Sequence, residues 1–244
     1  KGSGSSLYGS DALGGVVSLK SIEPDDILKP GSKEAFKIDT RYKSQNSSIK
    51  PTFKYAFKEK DFEGIFAVST ENYSELERKA PSKYIDNKDG DNNSFYGKFT
   101  GKPQDNIKYS ITLENIDKSS INKSNINNID SLQYSSNLTR SDDQNDSKST
   151  RGVLDFEYKS KENQLVDKFN GKIYLSYLNY QNKYIKRPES PFRTDLNEDV
   201  VTELDQETIG ASLQFSNNIS NKDVDHRITF GFEGSIFEGD RTAK

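Results

Sequence analysis

The sequence predicts an all-β fold: one wall of a transmembrane antiparallel β-barrel, built from about nine strands. Three observations carry this. Apolar and polar residues alternate at every second position in segment after segment beyond Ser32. The connections between those segments are by turns short and long, as in barrels whose turns lie on one side of a membrane and whose loops lie on the other. Third, hydrophobic residues make up only 31% of the chain, and adding its 16 glycines still leaves it below the roughly 45–50% usual in globular proteins. Yet 11% of the residues are aromatic, too many for a disordered chain. Such a composition suits a sheet with one apolar face covered by lipid and one polar face turned to water.

In chain order, residues 1–20 stand apart. The run from Gly2 to Leu19 is rich in Gly and Ser, the mark of tight turns and close backbone approach. Ile22–Gly31, with Pro24 and Pro30, reads as a linker. The alternation then begins. In 49–58, Ile49, Phe53, Tyr55 and Phe57 oppose Lys50, Thr52, Lys54 and Lys58. Phe95 and Phe99 oppose Tyr96, Lys98 and Thr100 in 93–101. Residues 107–114 set Ile107, Tyr109, Ile111 and Leu113 against Lys108, Ser110, Thr112 and Glu114. Leu154, Phe156 and Tyr158 share one face of 152–159, and Ile209, Ala211, Leu213 and Phe215 one face of 207–215. Ile228, Phe230, Phe232 and Ile236 do the same in 226–236, and weaker patterns lie at 34–43, 62–72 and 169–182. Each of these segments has about the length that a tilted strand needs to cross a bilayer. The stretches 44–48, 58–61, 102–106, 160–168 and 217–225 read as short connections. By contrast, 74–92, 118–149 and 183–203 read as long polar loops, and Glu238–Lys244 as the start of another.

Composition also bears on function. Lys plus Arg number 35 against 38 Asp plus Glu, a net charge of −3 that argues against nucleic-acid binding. There is no Cys and a single His, His226, which excludes thiolate catalysis, Cys zinc sites and His-cluster metal sites. No constellation for bond-making chemistry is present, so an enzyme is not expected, nor a cofactor or metal. Gly4–Gly9 is followed by Ser10 and Asp11 where a phosphate-binding loop needs Lys, so it reads as structural turns. The stretch Asp86–Asp91 has Lys88 at the third position of a calcium loop and reads as solvated loop, as does Asp142–Asp146. Tyr174, Tyr177, Tyr180 and Tyr184, with Tyr73, Tyr84 and Tyr96, fit either an aromatic girdle at the bilayer interface or a ligand-stacking wall.

The N-terminal run carries a family resemblance. Gly2, Ser5, Leu7, Tyr8, Gly9, Ala12, Gly14, Gly15 and Val16 fall on the pattern Gly-Pro-x-Ser-x-Leu-Tyr-Gly-x-x-Ala-x-Gly-Gly-Val, with Ser3 in place of Pro. This resembles the end of the plug domain of TonB-dependent outer-membrane receptors. The continuation through Pro24-Asp25-Asp26-Ile27-Leu28 is similar to the plug-to-barrel junction of the haem and haemoglobin branch. The resemblance implies that residues 1–31 are the C-terminal end of a plug with its linker, and 32–244 the N-terminal part of a barrel of about 22 strands. It further implies a location in the outer membrane of a Gram-negative cell. The implied activity is import of an iron source energised by the TonB complex, acting through a region upstream. Haem or haemoglobin is the ligand implied first, a ferric siderophore the alternative; a barrel that serves only as a surface receptor is the other. The family's haem-associated histidines fall outside this chain, and His226, beside a short turn, is expected at the periplasmic rim and not as a haem ligand. Phe53, Phe57, Ile111, Phe156, Leu213 and Phe230 are expected to face lipid, and Lys54, Thr112 and Ser212 the lumen.

Overall fold

The structure, a computed structural model, describes residues 21–74, 85–128, 137–160, 166–188, 198–221 and 224–244. The nine Gly, Ser, Leu, Tyr, Ala and Val positions of the N-terminal motif lie outside these, as does Tyr84.

Nine strands follow one another: β1 (Glu34–Lys43), β2 (Ser48–Lys58), β3 (Phe62–Tyr73), β4 (Ile85–Gln104), β5 (Ile107–Asn128), β6 (Asn137–Lys159), β7 (Lys168–Pro188), β8 (Glu198–Asn221) and β9 (Val224–Ala243). They form one sheet in the order β1-β2-β3-β4-β5-β6-β7-β8-β9, every neighbouring pair antiparallel. This is the all-β fold that the alternation predicts, a sheet of the form of a partial β-barrel, open among the described residues. Two 3-10 turns complete it. Pro24–Asp26 lies in the linker, and Ser44–Asn46 joins β1 to β2 with Ser47 left-handed at φ 48°.

Registration of the strands puts the apolar positions in continuous rows. Ile38 pairs with Phe53, Phe53 with Val68, Val68 with Phe95, and on the later strands Leu154 pairs with Ile173 and Leu213 with Phe232. A one-residue slip anywhere would turn a strand's apolar set to the opposite face. The result is a band of roughly seven to nine residues per strand, about 20–30 Å along the strand direction. Phe53, Ile111, Phe156, Leu213 and Phe230 are exposed on it and Phe57 half-buried, all on the face expected for them. Among the described residues, only Ala56 and Ile65 are fully buried hydrophobics. Among the described residues there is therefore no conventional core, and many large apolar side chains lie bare on one side.

The long polar stretches differ from expectation. β4 to β8 each run for 20 to 24 residues, so most of 118–149 and 183–203, and 85–92 of the first long stretch, is strand and not loop. Glu238–Ala243 likewise continue β9, paired with Thr202–Glu207. The reason is that apolar-polar alternation reports a difference in medium between two faces. Beyond the band both faces carry mostly polar side chains, so alternation fades while the backbone ladder continues, Asp117 opposite Lys148 and Asn122 opposite Asp143. At the other end, 217–225 is tighter than expected, with β8 reaching Asn221 and β9 starting at Val224.

Candidate functional site

The polar face is concave. Lys98 of β4 and Ser212 and Gln214 of β8 line one hollow of about 510 Å³, which also takes in Ser21 and Glu23 of the linker. Lys54 and Ser212 stand on this face as expected, and so does Thr112, which is enclosed at 7% exposure.

Its chemistry is paired charge. Arg151 lies opposite Glu114 at 3.9 Å, Lys172 opposite Asp155 at 3.5 Å, and Lys54 reaches Asp39 at 2.8 Å. Glu71 accepts from Ser48 Oγ at 2.7 Å and pairs with Lys43 at 3.2 Å. These cross-strand opposite charges are largely open to solvent, so the rows stabilise the wall only modestly while leaving it wettable. A second, smaller hollow of about 410 Å³ continues toward the long hairpins over Glu114, Arg151, Tyr174 and Ser176. Among the described residues no group of three or more His, Asp or Glu side chains is placed to hold a metal.

The linker crosses the short-turn end of this face. Glu23 opens the Pro24–Asp26 turn, with reciprocal bonds between Glu23 and Asp26 and Pro at the first position. Three side chains of the wall hold it. Lys98 meets the Glu23 carboxylate at 2.5 Å, Lys58 meets Asp25 at 2.6 Å, and Tyr96 Oη donates to the Ile22 carbonyl at 3.2 Å. Lys58 also lies 3.6 Å from Glu63, which in turn accepts Lys102 at 2.8 Å, so the charges run in series over β2, β3 and β4. The hydrogen bond from Lys58 holds the Asp25 carboxyl below its usual range. Pro24 is buried, and the turn packs against β2 and β3. Sequence reasoning passes over these partners. The Glu23-Pro24-Asp25-Asp26 run does carry a helix-start signal, and that signal was available.

The tyrosines divide. Tyr177 stands with Leu175 and Ile173 at the edge of the apolar band, where a girdle belongs. Tyr73, Tyr96, Tyr174, Tyr180 and Tyr184 share the polar face, so the girdle does not account for them. Tyr180 Oη donates to Asn145 Oδ1 at 2.6 Å, and the Tyr174 ring covers its cross-strand partner Gly210, leaving no room there for a Cβ. Asp142–Asp146 is not a loop tip. It lies within β6, where Asp143 accepts Asn182 Nδ2 at 2.5 Å and Asp146 accepts Ser119 Oγ at 2.6 Å. Asp86–Asp91 similarly lies within β4. His226 is exposed near the start of β9, at the short-turn end of the sheet.

Among the described residues no helix is long and apolar enough to cross a membrane, and the strand-rich sheet is compatible with a β-barrel membrane protein. No protein-family model and no curated protein matches the chain.

Proposed function

We propose that the chain is the plug end and first barrel strands of a TonB-dependent outer-membrane receptor that imports an iron source, haem or haemoglobin iron first among them. One observation carries the membrane part of this reading. Every strand turns exposed apolar side chains to the same side, from Phe36 on β1 to Ile236 on β9. In water such a surface would aggregate, since soluble monomers rarely expose apolar patches beyond a few hundred Å². In lipid it is the barrel exterior, and the charged concave face is the wall of a wet lumen.

The transport part rests on the N-terminal resemblance, from Gly2 to Val16, to the end of a plug, together with a linker that enters the concave face. Import by a plugged barrel makes and breaks no bond, and paired charges on a hydrated wall suit passage of a large polar ligand. The partners in this reading are the TonB energy-coupling complex, outer-membrane lipid, and haem, haemoglobin or a ferric siderophore as ligand.

The test is growth. Cells with the complete gene as their only iron receptor are expected to grow on haem or haemoglobin, and to stop when the energy-coupling protein is deleted. Growth on a ferric siderophore but not on haem overturns the substrate class. Haem-dependent growth that survives the deletion overturns energised import, and binding without growth on any iron source identifies a surface receptor.

A further inference from the structure

We propose that Ser21–Leu28 is a mechanical strap: its ion pairs to β2 and β4 take up tension applied from the N-terminal side before that tension reaches β1. The proposal rests on the energised-import reading for the source of the pull, and on the geometry of the linker for everything else.

Among the described residues β1 pairs with β2 alone. The chain enters it through Lys33, whose carbonyl accepts the Lys58 amide at 2.7 Å, and the first rung is Glu34 opposite Phe57. Tension arriving directly at Lys33 would fall on those rungs, which are all that pairs β1 among the described residues. The linker prevents this arrangement. Upstream of Lys33 it is fixed to two strands at once, through Lys58 on β2 and through Lys98 and Tyr96 on β4. A pull from upstream meets those three contacts in order, Tyr96 on Ile22, Lys98 on Glu23 and Lys58 on Asp25, all before it reaches Lys33. The Glu23–Lys98 pair is the better sheltered, with side chains 21% and 14% exposed, so water and salt screen it less than the rim pair at Asp25. Between strap and strand, Gly31 is left-handed at φ 82° with open space around it, and Ser32 donates to the Lys29 carbonyl, a short turn that separates the two mechanically.

Single-molecule force spectroscopy tests this on the complete protein in lipid vesicles, pulled by a tag upstream of Ser21. The wild type should show a distinct rupture before β1 separates, releasing roughly 12 residues, or about 40 Å of chain. The double variant Glu23→Gln with Asp25→Asn should lose that rupture, with β1 the first element to detach. With Asp25→Asn kept, exchanging the charges of the other pair, Glu23→Lys with Lys98→Glu, should restore it, which a general loss of folding would not allow. Identical traces for wild type and double variant would overturn the strap, as would a charge exchange that restores nothing. The pull comes from the instrument and needs no coupling complex. A failure here therefore leaves energised import standing, and loss of the import reading in the growth test leaves these traces unaltered.

Discussion

The lower and upper halves of the sheet are built from the same ladder and differ in what surrounds them. In the band, Ile107, Tyr109, Ile111 and Leu113 alternate with Lys108, Ser110, Thr112 and Glu114, because one face meets an apolar medium and the other a polar one. Higher on the same strand, Ile116 falls on the polar face and Ile121 on the other, among Ser, Asn and Lys. There the strands are joined side chain to side chain across the rungs. Asn182 Nδ2 donates to Asn145 Oδ1 at 2.9 Å, Asn179 Nδ2 to Asp205 at 2.7 Å and Gln181 Nε2 to Glu203 at 2.7 Å. Alternation marks a boundary between media, whereas the strand itself needs only a partner.

The largest effect should come from placing a charge on the lipid side of the band. Ile111→Arg or Leu154→Arg is expected to destabilise the complete barrel by about 2–4 kcal/mol, read from denaturant unfolding in lipid vesicles. Ser212→Arg, on the half-buried concave face, should cost far less. Thr112 is a poorer comparison than the sequence suggests, since its enclosed position would add steric strain to any charge effect. Equal losses at Ile111 and Ser212 would mean that the two faces do not meet different media.

Next come the glycines beneath aromatic rings. Tyr109 covers Gly101 on the apolar face and Tyr174 covers Gly210 on the polar one, each directly across a rung. A methyl group at either position displaces the ring, so Gly101→Ala and Gly210→Ala should each cost about 1–3 kcal/mol. Gly234 has nothing within 4 Å of where its Cβ would stand, and Gly234→Ala serves as the neutral control. If all three behave alike in unfolding, ring cover contributes nothing to the sheet.

How much of this was legible in the sequence follows from the same contrast. The nine strands and their facing are written in Phe, Ile and Leu at alternate positions, because one face of the band is apolar and the other polar. The upper strand extensions are not, since Ser, Asn and Asp serve equally in a solvated loop and on a solvated rung. The linker's anchoring was hidden for another reason. Lys58 and Lys98 lie 33 and 75 residues beyond their partners, and only strand register and curvature bring them to Asp25 and Glu23. Tyr174, Tyr180 and Tyr184 share parity with Leu178, and an apolar neighbour on a polar face gave them an ambiguous side.

Amide hydrogen exchange separates rung from loop in the upper half. Amides in 116–123, 141–148 and 178–187 should exchange at least tenfold more slowly than unstructured chain, yet faster than those of 107–113, which the band shelters. Exchange at the unprotected rate throughout 116–123 would return these stretches to loops. The comparison is sharpest within β5, where a single strand passes from one regime to the other.

The smallest effect belongs to the outermost ion pair. Arg187 on β7 meets Asp199 on β8 at 2.5 Å, and its guanidinium also donates to the Glu198 carbonyl at 3.3 Å. The hydrogen bond from Arg187 holds the Asp199 carboxyl below its usual range. A carboxyl depressed in the folded state contributes stability above its unfolded pKa and loses it as the pH falls through the folded value. Any contribution is therefore complete at neutral pH and disappears only in acid below the ordinary carboxylate range. Both groups are solvent-exposed, so salt should remove it as effectively as acid. Asp199→Asn is expected to leave the unfolding midpoint of the barrel unchanged within error. It should speed amide exchange locally around 185–187, in low salt at neutral pH but not in high salt. A shift in the global midpoint would show that the upper hairpins are coupled to the band far more tightly than their solvated ladder implies.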